Sequence, residues 1–278
     1  MDKKQLAALP GFLDCLGLDE PPMGIFFSKE QPEQGYCPDP LDLPTREKEK
    51  NNAINWQKIF SNFSCVLGKI WLARKKQTAA FFSARHFGCP GGAFWLGFNK
   101  PQTQTIIDYV STGVPGQMEG ELYCDSPETL AHIFNQVDPV PAPEPYCVFK
   151  PVTLFNENET PVLVSFFIRP EALCGLHQLA CYVTHDPEVV ASPWSAACGS
   201  LVAWPMHYLQ KGEHRAVVGG WDPSARKFFK TDELSFTLPY EMFLTMLEQY
   251  SQSFLKTKTW ANVQKKIHKS KKAWNEIK

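Results

Sequence analysis

Hydrophobic positions along the chain follow two spacings, one typical of strands and one typical of helices. Short apolar runs predict strands at 22–28, 78–84, 118–124, 161–168, 214–220 and 234–238. Apolar residues that recur every three or four positions predict helices at 53–75, 103–112, 126–136, 170–183, 193–210 and 239–255. The two types are mixed without strict strand–helix–strand alternation. The pattern therefore predicts an α+β fold with a mixed sheet and helices.

The segment VDPVPAPEPY places a proline at every second position and predicts an extended linker at 139–145. It divides the chain into a first half, 1–138, and a second half, 146–255, which is followed by a tail, 256–278. The halves resemble each other in three places. PPMGIFF matches TPVLVSFF, the segment that opens at Cys65 matches the one that opens at Cys198, and SPETLAHIFNQ matches LPYEMFLTMLEQ. The common order of these matches predicts two related halves, an internal repeat.

The composition is that of an ordinary globular protein, with 44% hydrophobic and 21% charged residues and a net charge of -1. This balance gives no reason to expect a nucleic-acid partner. Apolar runs such as VLVSFFI are too short to cross a bilayer, and Pro10 and Asp14 interrupt the early apolar stretch, so neither a membrane span nor an export signal is predicted. The nine cysteines show no framework spacing, which predicts reduced thiols in a cytoplasmic protein.

The tail carries eight lysines and a single acidic residue, Glu276. Its apolar residues have heptad-like spacing: Trp260, Val263, Ile267, Trp274 and Ile277. This predicts a basic amphipathic helix, which could lie on a membrane or on nucleic acid. The interpretation we favour is that its apolar edge docks on its own domain or on a partner while the lysines stay solvated.

Cys65 lies in the predicted helix 53–75, nearly opposite the apolar stripe and close to Lys58 and Lys69. A cysteine used only for packing belongs inside such a stripe. Cys65 is therefore expected to face either solvent or a second surface, such as the other half of the chain.

Cys89 opens the sequence CPGG, which is typical of a tight turn or of a helix start with proline at the first helical position. Free backbone N–H groups at such a start favour an anionic or metal-bound sulfur. Gly91 and Gly92 allow a ligand to approach the backbone, and His86 precedes Cys89 at a spacing that metal ligands use. The alternative is a glycine turn whose cysteine only fills space.

In the second half, Cys198 lies among small residues near a helix start, and Arg226 follows in WDPSAR. Arg226 could bind a carboxylate or phosphate, or it could pair with Asp222 and hold the turn. Cys174, by contrast, is surrounded by leucines and is expected to pack in the core, together with its neighbours His177 and Cys181.

Three groups of residues resemble a family of bacterial and archaeal proteins, domain of unknown function 169. They are LGLDEPPMGIFF, then FSCVLGKIWLA with FGCPGGAFWLGF, and AACGSLVAWP with DPSAR. The resemblance covers most of residues 15–255 and leaves out the tail. The positions that match the family pattern are Cys65, Cys89, Gly91, Gly92, Cys198 and Arg226. The family has no established activity to carry over. Its members are common in anaerobes, which is compatible with oxygen-sensitive thiol or metal chemistry.

The leading hypothesis is a metal ion or an iron–sulfur cluster held by Cys65, Cys89 and Cys198 where the two halves meet, with a possible redox role. His86, Gly91, Gly92 and Arg226 would then contribute to ligand binding. Two alternatives stay open. One is a metal-independent thiol enzyme that uses Cys89 as nucleophile, and the other is a non-catalytic module that binds a small anion beside Arg226.

Overall fold

The structure, a computed structural model, describes residues 5–51, 53–100, 102–137 and 139–276. Its α+β fold is built on a mixed seven-stranded sheet with the strand order β2-β5-β1-β6-β9-β8-β7. The strands of this sheet are β1 (Met23–Ser28), β2 (Ala80–Ser83), β5 (Tyr146–Pro151), β6 (Leu163–Ile168), β7 (Val190–Ala191), β8 (Ala216–Gly219) and β9 (Leu234–Pro239). A separate two-stranded ribbon is formed by β3 (Gly113–Val114) and β4 (Met118–Glu119).

Helices cover both faces of the large sheet. In the first half of the chain they are α1 (Leu9–Leu16), α2 (Arg46–Lys50), α3 (Trp56–Ser61), α4 (Val66–Lys76), α5 (Pro90–Trp95), α6 (Gln104–Val110) and α7 (Pro127–Val137). The later ones are α8 (Pro170–Thr184), α9 (Trp204–Gln210), α10 (Tyr240–Gln249) and α11 (Lys258–Glu276). A π-helical segment, Gly199–Ala203, leads directly into α9.

Alternation along the strands divides the core into two layers, because successive side chains point to opposite faces of a sheet. Phe26, Val164, Phe166 and Phe236 pack on one face with helices α1, α8 and α10. On the other face, Ile25 and its alternating neighbours pack with α4, α5 and the π segment. The second layer holds the residues with candidate chemistry.

The two halves of the chain share this one sheet. Strand β5, which directly follows the proline segment 139–145, pairs with both β1 and β2 of the first half. The strand order reads symmetrically about the β1–β6 pair, so that β5 corresponds to β9 and β2 to β8. The third sequence match does not share this symmetry, since α7 precedes β5 whereas α10 follows β9. The internal repeat therefore stays a prediction.

Two predicted helices differ from those in the structure, and both differences concern segments with candidate residues. The continuous helix 53–75 is wrong, because α3 ends at Ser61 and the chain turns before α4 starts at Val66. The backbone N–H of Ser64 donates to Gly88 O there, 2.8 Å away, which draws the chain towards the Cys89 turn. The helix expected at 193–210 begins only at residue 197.

Other differences are smaller in extent. The strand predicted at 118–124 is limited to the two residues of β4, and the inner strand β5, which lies next to the edge strand β2, was not predicted at all. Cys174 was expected in the core but is exposed, because it lies on the side of α8 that faces away from the sheet.

The basic tail forms α11, and the start of this helix docks on the domain. Trp260 Nε1 donates to Cys15 O at 2.9 Å, and the Trp260 ring packs edge-on against Phe254. Lys271 pairs with Glu171 at 2.6 Å, while Trp274 is 73% exposed. None of the helices in the described ranges has the length and apolar character needed to cross a membrane.

Candidate functional site

A cavity of about 580 Å³ lies on the sheet face that carries α4 and α5. Its lining residues come from the segments 60–134 and 192–227, and they include Cys65, Cys89 and Cys198. We call it the cysteine cavity. Its volume is within the usual range for small-molecule sites.

Each of the three cysteines lies at the start of a helix. Cys65 directly precedes α4, and Cys89 caps α5, where its Sγ accepts a hydrogen bond from the Gly92 amide at 3.3 Å. Cys198 lies in the first turn of the helix that becomes the π segment, and its thiol donates to Gly91 O at 3.9 Å. Helix starts expose free N–H groups, which favour negative charge on a nearby sulfur.

The three thiols are close enough to affect each other's ionisation. Burial is the main cause that raises the pKa of Cys65 to about 12, and the nearby sulfur of Cys89 adds to the effect. Burial also raises the pKa of Cys89, and it raises that of Cys198 well above its ordinary value, where Cys89 and Cys65 contribute as well. Without a bound cation, the thiolate forms are therefore unfavourable despite the helix starts.

Two carboxylates line the same cavity. Asp222 caps the turn 223–228: the backbone amides of Ser224 and Ala197 donate to its two oxygens at 2.9 and 3.2 Å. Glu121 is held by its backbone, whose N–H donates to Tyr109 O at 2.7 Å. Burial, and then the charge of Asp222, raises the pKa of Glu121 to about 7. The cavity thus combines soft sulfur donors with acidic groups.

Four side chains of the cavity lie at the start of a helix or turn: Cys65, Cys89, Cys198 and Asp222. Their spacing in the sequence agrees in pairs. Cys89 follows Cys65 by 24 positions, and Asp222 follows Cys198 by the same number. Cys89 comes after β2 and Asp222 after β8, and these strands hold equivalent places in the symmetric strand order. The equal spacing fits the predicted internal repeat, which stays a prediction.

Aromatic residues make up about a third of the cavity walls: nine of the 28 lining residues are Phe, Tyr or Trp. The rings of Phe60 and Tyr109 lie 4.8 Å apart, and those of Trp95 and Trp194 lie 6.4 Å apart. Trp194 is 43% exposed and Trp221 is 55% exposed, so these two rings form the mouth. Trp95, which also lines the cavity, is by contrast only 2% exposed.

A family profile described as domain of unknown function 169, an uncharacterised ArCR family, matches residues 12–249. The chain belongs to this family. The match spans both halves and stops before the lysine-rich tail, as the resemblance had indicated. Comparisons with curated proteins and with solved structures gave no match.

The structure treats the two glycines of the family's CPGG turn differently. Gly91 lines the cavity, and a Cβ there would make only ordinary contacts of 3.8 Å with Cys89 Sγ and Trp95. Gly92 faces away from the cavity, where a Cβ would lie 2.2 Å from Phe87 O. Gly91 therefore keeps the cavity wall open, whereas Gly92 allows α5 to pack closely on the preceding loop.

His86 and Arg226 lie outside the lining of the cavity. His86 Nδ1 is 2.9 Å from Ser83 Oγ, so its ring belongs to the turn after β2. The Arg226 guanidinium donates to the carbonyls of Gly220, Lys230, Thr231 and Glu233. Neither side chain lies in the cavity with the three thiols. The hydrogen bonds of Arg226 stabilise its own turn, and this structural role fits the side chain better than anion binding does.

Nothing in the sequence indicated that Glu121, or the aromatic residues of α3 and α6, would line the same cavity as the cysteines. Glu121 stood in a segment predicted as a strand, and its place in the cavity depends on a backbone bond to Tyr109. Residues 193–196, which were predicted as the start of a helix, form a loop instead, and nothing local indicated that Trp194 would line a cysteine site. In the parts of the chain that the structure describes, no group of three or more His, Cys, Asp or Glu side chains is arranged to hold a metal ion.

Proposed function

We propose that the protein binds an iron–sulfur cluster through Cys65, Cys89 and Cys198, at the bottom of an aromatic cavity that admits a small molecule. The observation that carries the proposal is the convergence of three thiols from distant chain segments on one cavity. The functional class is a cytoplasmic cysteine-centred metalloprotein, with a redox role as one use of the cluster. All nine cysteines are unpaired, which fits a reducing compartment.

The donor set fits a soft, positively charged group. Thiolates are the ligands of iron–sulfur clusters, and hydrogen bonds from backbone amides to the sulfur atoms tune such clusters. Cys89 Sγ already accepts one from Gly92. Because burial and mutual repulsion make the free thiolates unfavourable, a bound metal would supply the charge that they lack.

We favour a cluster over a single ion because all three candidate ligands are cysteines, which are the usual ligands of iron–sulfur clusters. When bound, such a cluster supplies electron transfer, and with three protein thiolates it leaves one iron for an outside ligand.

The alternatives have less support. A thiol enzyme that uses Cys89 needs a base, yet His86 lies elsewhere and burial raises the pKa of the Cys89 thiol. A small-anion module needs a free cation, but the carbonyl oxygens occupy Arg226, and Glu121 and Asp222 make the cavity acidic.

The test is elemental analysis and absorption spectroscopy of protein that is purified without exposure to air. The proposal expects iron and acid-labile sulfide in stoichiometric amounts and a broad visible absorption that bleaches on reduction. Replacement of Cys89 or Cys198 by serine should remove most of the iron. The matched control is Cys174→Ser, since Cys174 is exposed and lies outside the cavity.

Two results would overturn the proposal. One is anaerobic protein without iron, even after reconstitution with iron and sulfide. The other is an iron content that is the same in Cys89→Ser, Cys198→Ser and Cys174→Ser. Iron that is replaced by a single zinc ion per chain would instead point to a mononuclear thiolate site.

A further inference from the structure

The cysteine cavity has a charge pattern that selects among small molecules. The charged side chains among its lining residues are Glu121, Asp222 and Lys227. Lys227 is directed to another aromatic ring, with its Nζ 5.3 Å from the centre of Phe228. Two carboxylates against one lysine leave the interior acidic.

Glu121 differs from Asp222 in that its carboxylate is available. The Asp222 oxygens accept hydrogen bonds from Ala197 and Ser224, which hold the turn in place. In the described residues, by contrast, no hydrogen bond or ion pair to the Glu121 carboxylate is found. A half-buried carboxylate without a partner is costly unless a ligand supplies a donor or a positive charge.

The aromatic walls favour the same kind of ligand. The face of an aromatic ring carries negative charge and attracts cations, and Trp does so most strongly. Trp95, Trp194 and Trp221 all line the cavity, and the Phe60 and Tyr109 rings lie close together on the side of α3 and α6. Such rings also accept a flat ring between them or across their edges.

We infer that the cavity binds a small aromatic cation, a flat ring that carries an ammonium or similar positive group directed at Glu121. This inference concerns the same cavity as the proposed function, but it goes beyond that function and does not need the cluster, because it is argued from Glu121 and the aromatic rings. The ring would lie among the tryptophans, and the cation would meet the free carboxylate.

The test uses three probes of equal shape and different charge: 2-naphthylmethylammonium, 2-naphthalenemethanol and 2-naphthoate. Their binding to the full-length protein is measured by titration calorimetry at about pH 8, where a Glu121 carboxyl with a pKa of about 7 is mostly ionised. We expect the cation to bind about tenfold more tightly than the neutral alcohol, and the anion to bind most weakly. Glu121→Gln should lower the affinity for the cation to the affinity for the alcohol. Glu119→Gln is the matched control, since Glu119 is exposed and lies outside the cavity lining.

A second variant guards against loss of folding. Trp194→Leu removes a ring at the mouth, and it should weaken the cation and the alcohol together while the melting curve stays cooperative. The inference is overturned if the alcohol or the anion binds as tightly as the cation, if no probe binds, or if Glu121→Gln and Glu119→Gln give the same cation affinity.

The triple variant of Cys65, Cys89 and Cys198 to serine separates the two proposals. Selectivity for the cation that persists in this variant supports the inference even where the iron analysis has failed. Iron that is present in the wild-type protein together with no charge selectivity overturns the inference and leaves the cluster proposal intact.

Discussion

Arg74, near the end of α4, is a buried arginine between two acidic side chains from distant parts of the chain. Its guanidinium contacts both carboxylate oxygens of Glu233, at 2.8 and 3.0 Å, and one of Glu20 at 2.9 Å. It also lies 4.1 Å from the centre of the Phe167 ring. Arg74 thereby fastens α4, the helix that starts after Cys65, to the segment before β9.

We predict that Arg74→Met strongly destabilises the protein. Methionine keeps the apolar stem but leaves the Glu233 side chain, which is 3% exposed, without its main partner. Removing one member of a buried ion pair typically costs about 3–5 kcal/mol. Lys230 Nζ, at 3.8 Å from Glu233, offers partial compensation, so we expect the lower end, about 3 kcal/mol.

The assay is urea unfolding followed by circular dichroism. Glu20→Gln is the control, because this carboxylate is 39% exposed, and its loss should cost less than about 1 kcal/mol. The double variant of Arg74 and Glu233 to methionine should recover most of the lost stability, since no buried charge is left unpaired. The reasoning is refuted if Arg74→Met costs no more than Glu20→Gln, or if the double variant is less stable than Arg74→Met.

Three further predictions concern packing, pH and thiol reactivity. Gly219→Ala should lower the free energy of unfolding, measured in urea, by about 1–3 kcal/mol, because the new Cβ would lie 1.9 Å from Ser200 Oγ. Gly91→Ala is the control and should leave the stability unchanged, since its Cβ would make contacts of 3.8 Å. Burial opposes ionisation of Glu20, but the positive charges of Lys230 and Arg74 outweigh this effect and lower the pKa of Glu20. The ion pairs of Glu20 should therefore stabilise the protein above about pH 4.3, and this stabilisation should be lost as the pH falls below that value. In Glu20→Gln, the free energy of unfolding should consequently fall less steeply towards acid pH. In metal-free protein at neutral pH, peptide mapping should find the exposed Cys174 alkylated before Cys89, and the reverse order would support a nucleophilic Cys89.

The local structure around Cys89 could be predicted because its causes are local. Proline after the cysteine suits the first helical position, so a tight turn or a helix start was expected, and the structure shows the helix start, with α5 beginning at Pro90. The break before Cys65 could not be predicted in this way. Phe60, Phe63 and Leu67 continue the apolar spacing through residues 62–65, yet the helix is broken there, where the Ser64 amide donates to Gly88 O instead of continuing the helix.

The inner strand β5 shows a second limit of local patterns. Its six residues stand directly after the proline segment, and their place between β1 and β2 is fixed by hydrogen bonds to residues more than sixty positions away. Helix α11 is intermediate: its amphipathic spacing was visible, but the bond from Trp260 to Cys15 joins opposite ends of the chain.

The amino-acid sequence alone determined the α+β class, most strands and helices, and the family. It also singled out Cys65, Cys89 and Cys198 as candidate residues. These features could be recognised because periodicity, turn residues and motifs act over short distances along the chain. Only the tertiary structure decided that these cysteines share one cavity, that Glu121 and a set of aromatic rings join them, and that His86 and Arg226 do not. The physical reason is that strand pairing and helix packing bring distant segments together. The contacts between two such segments cannot be recognised from the hydrophobic pattern of either segment alone.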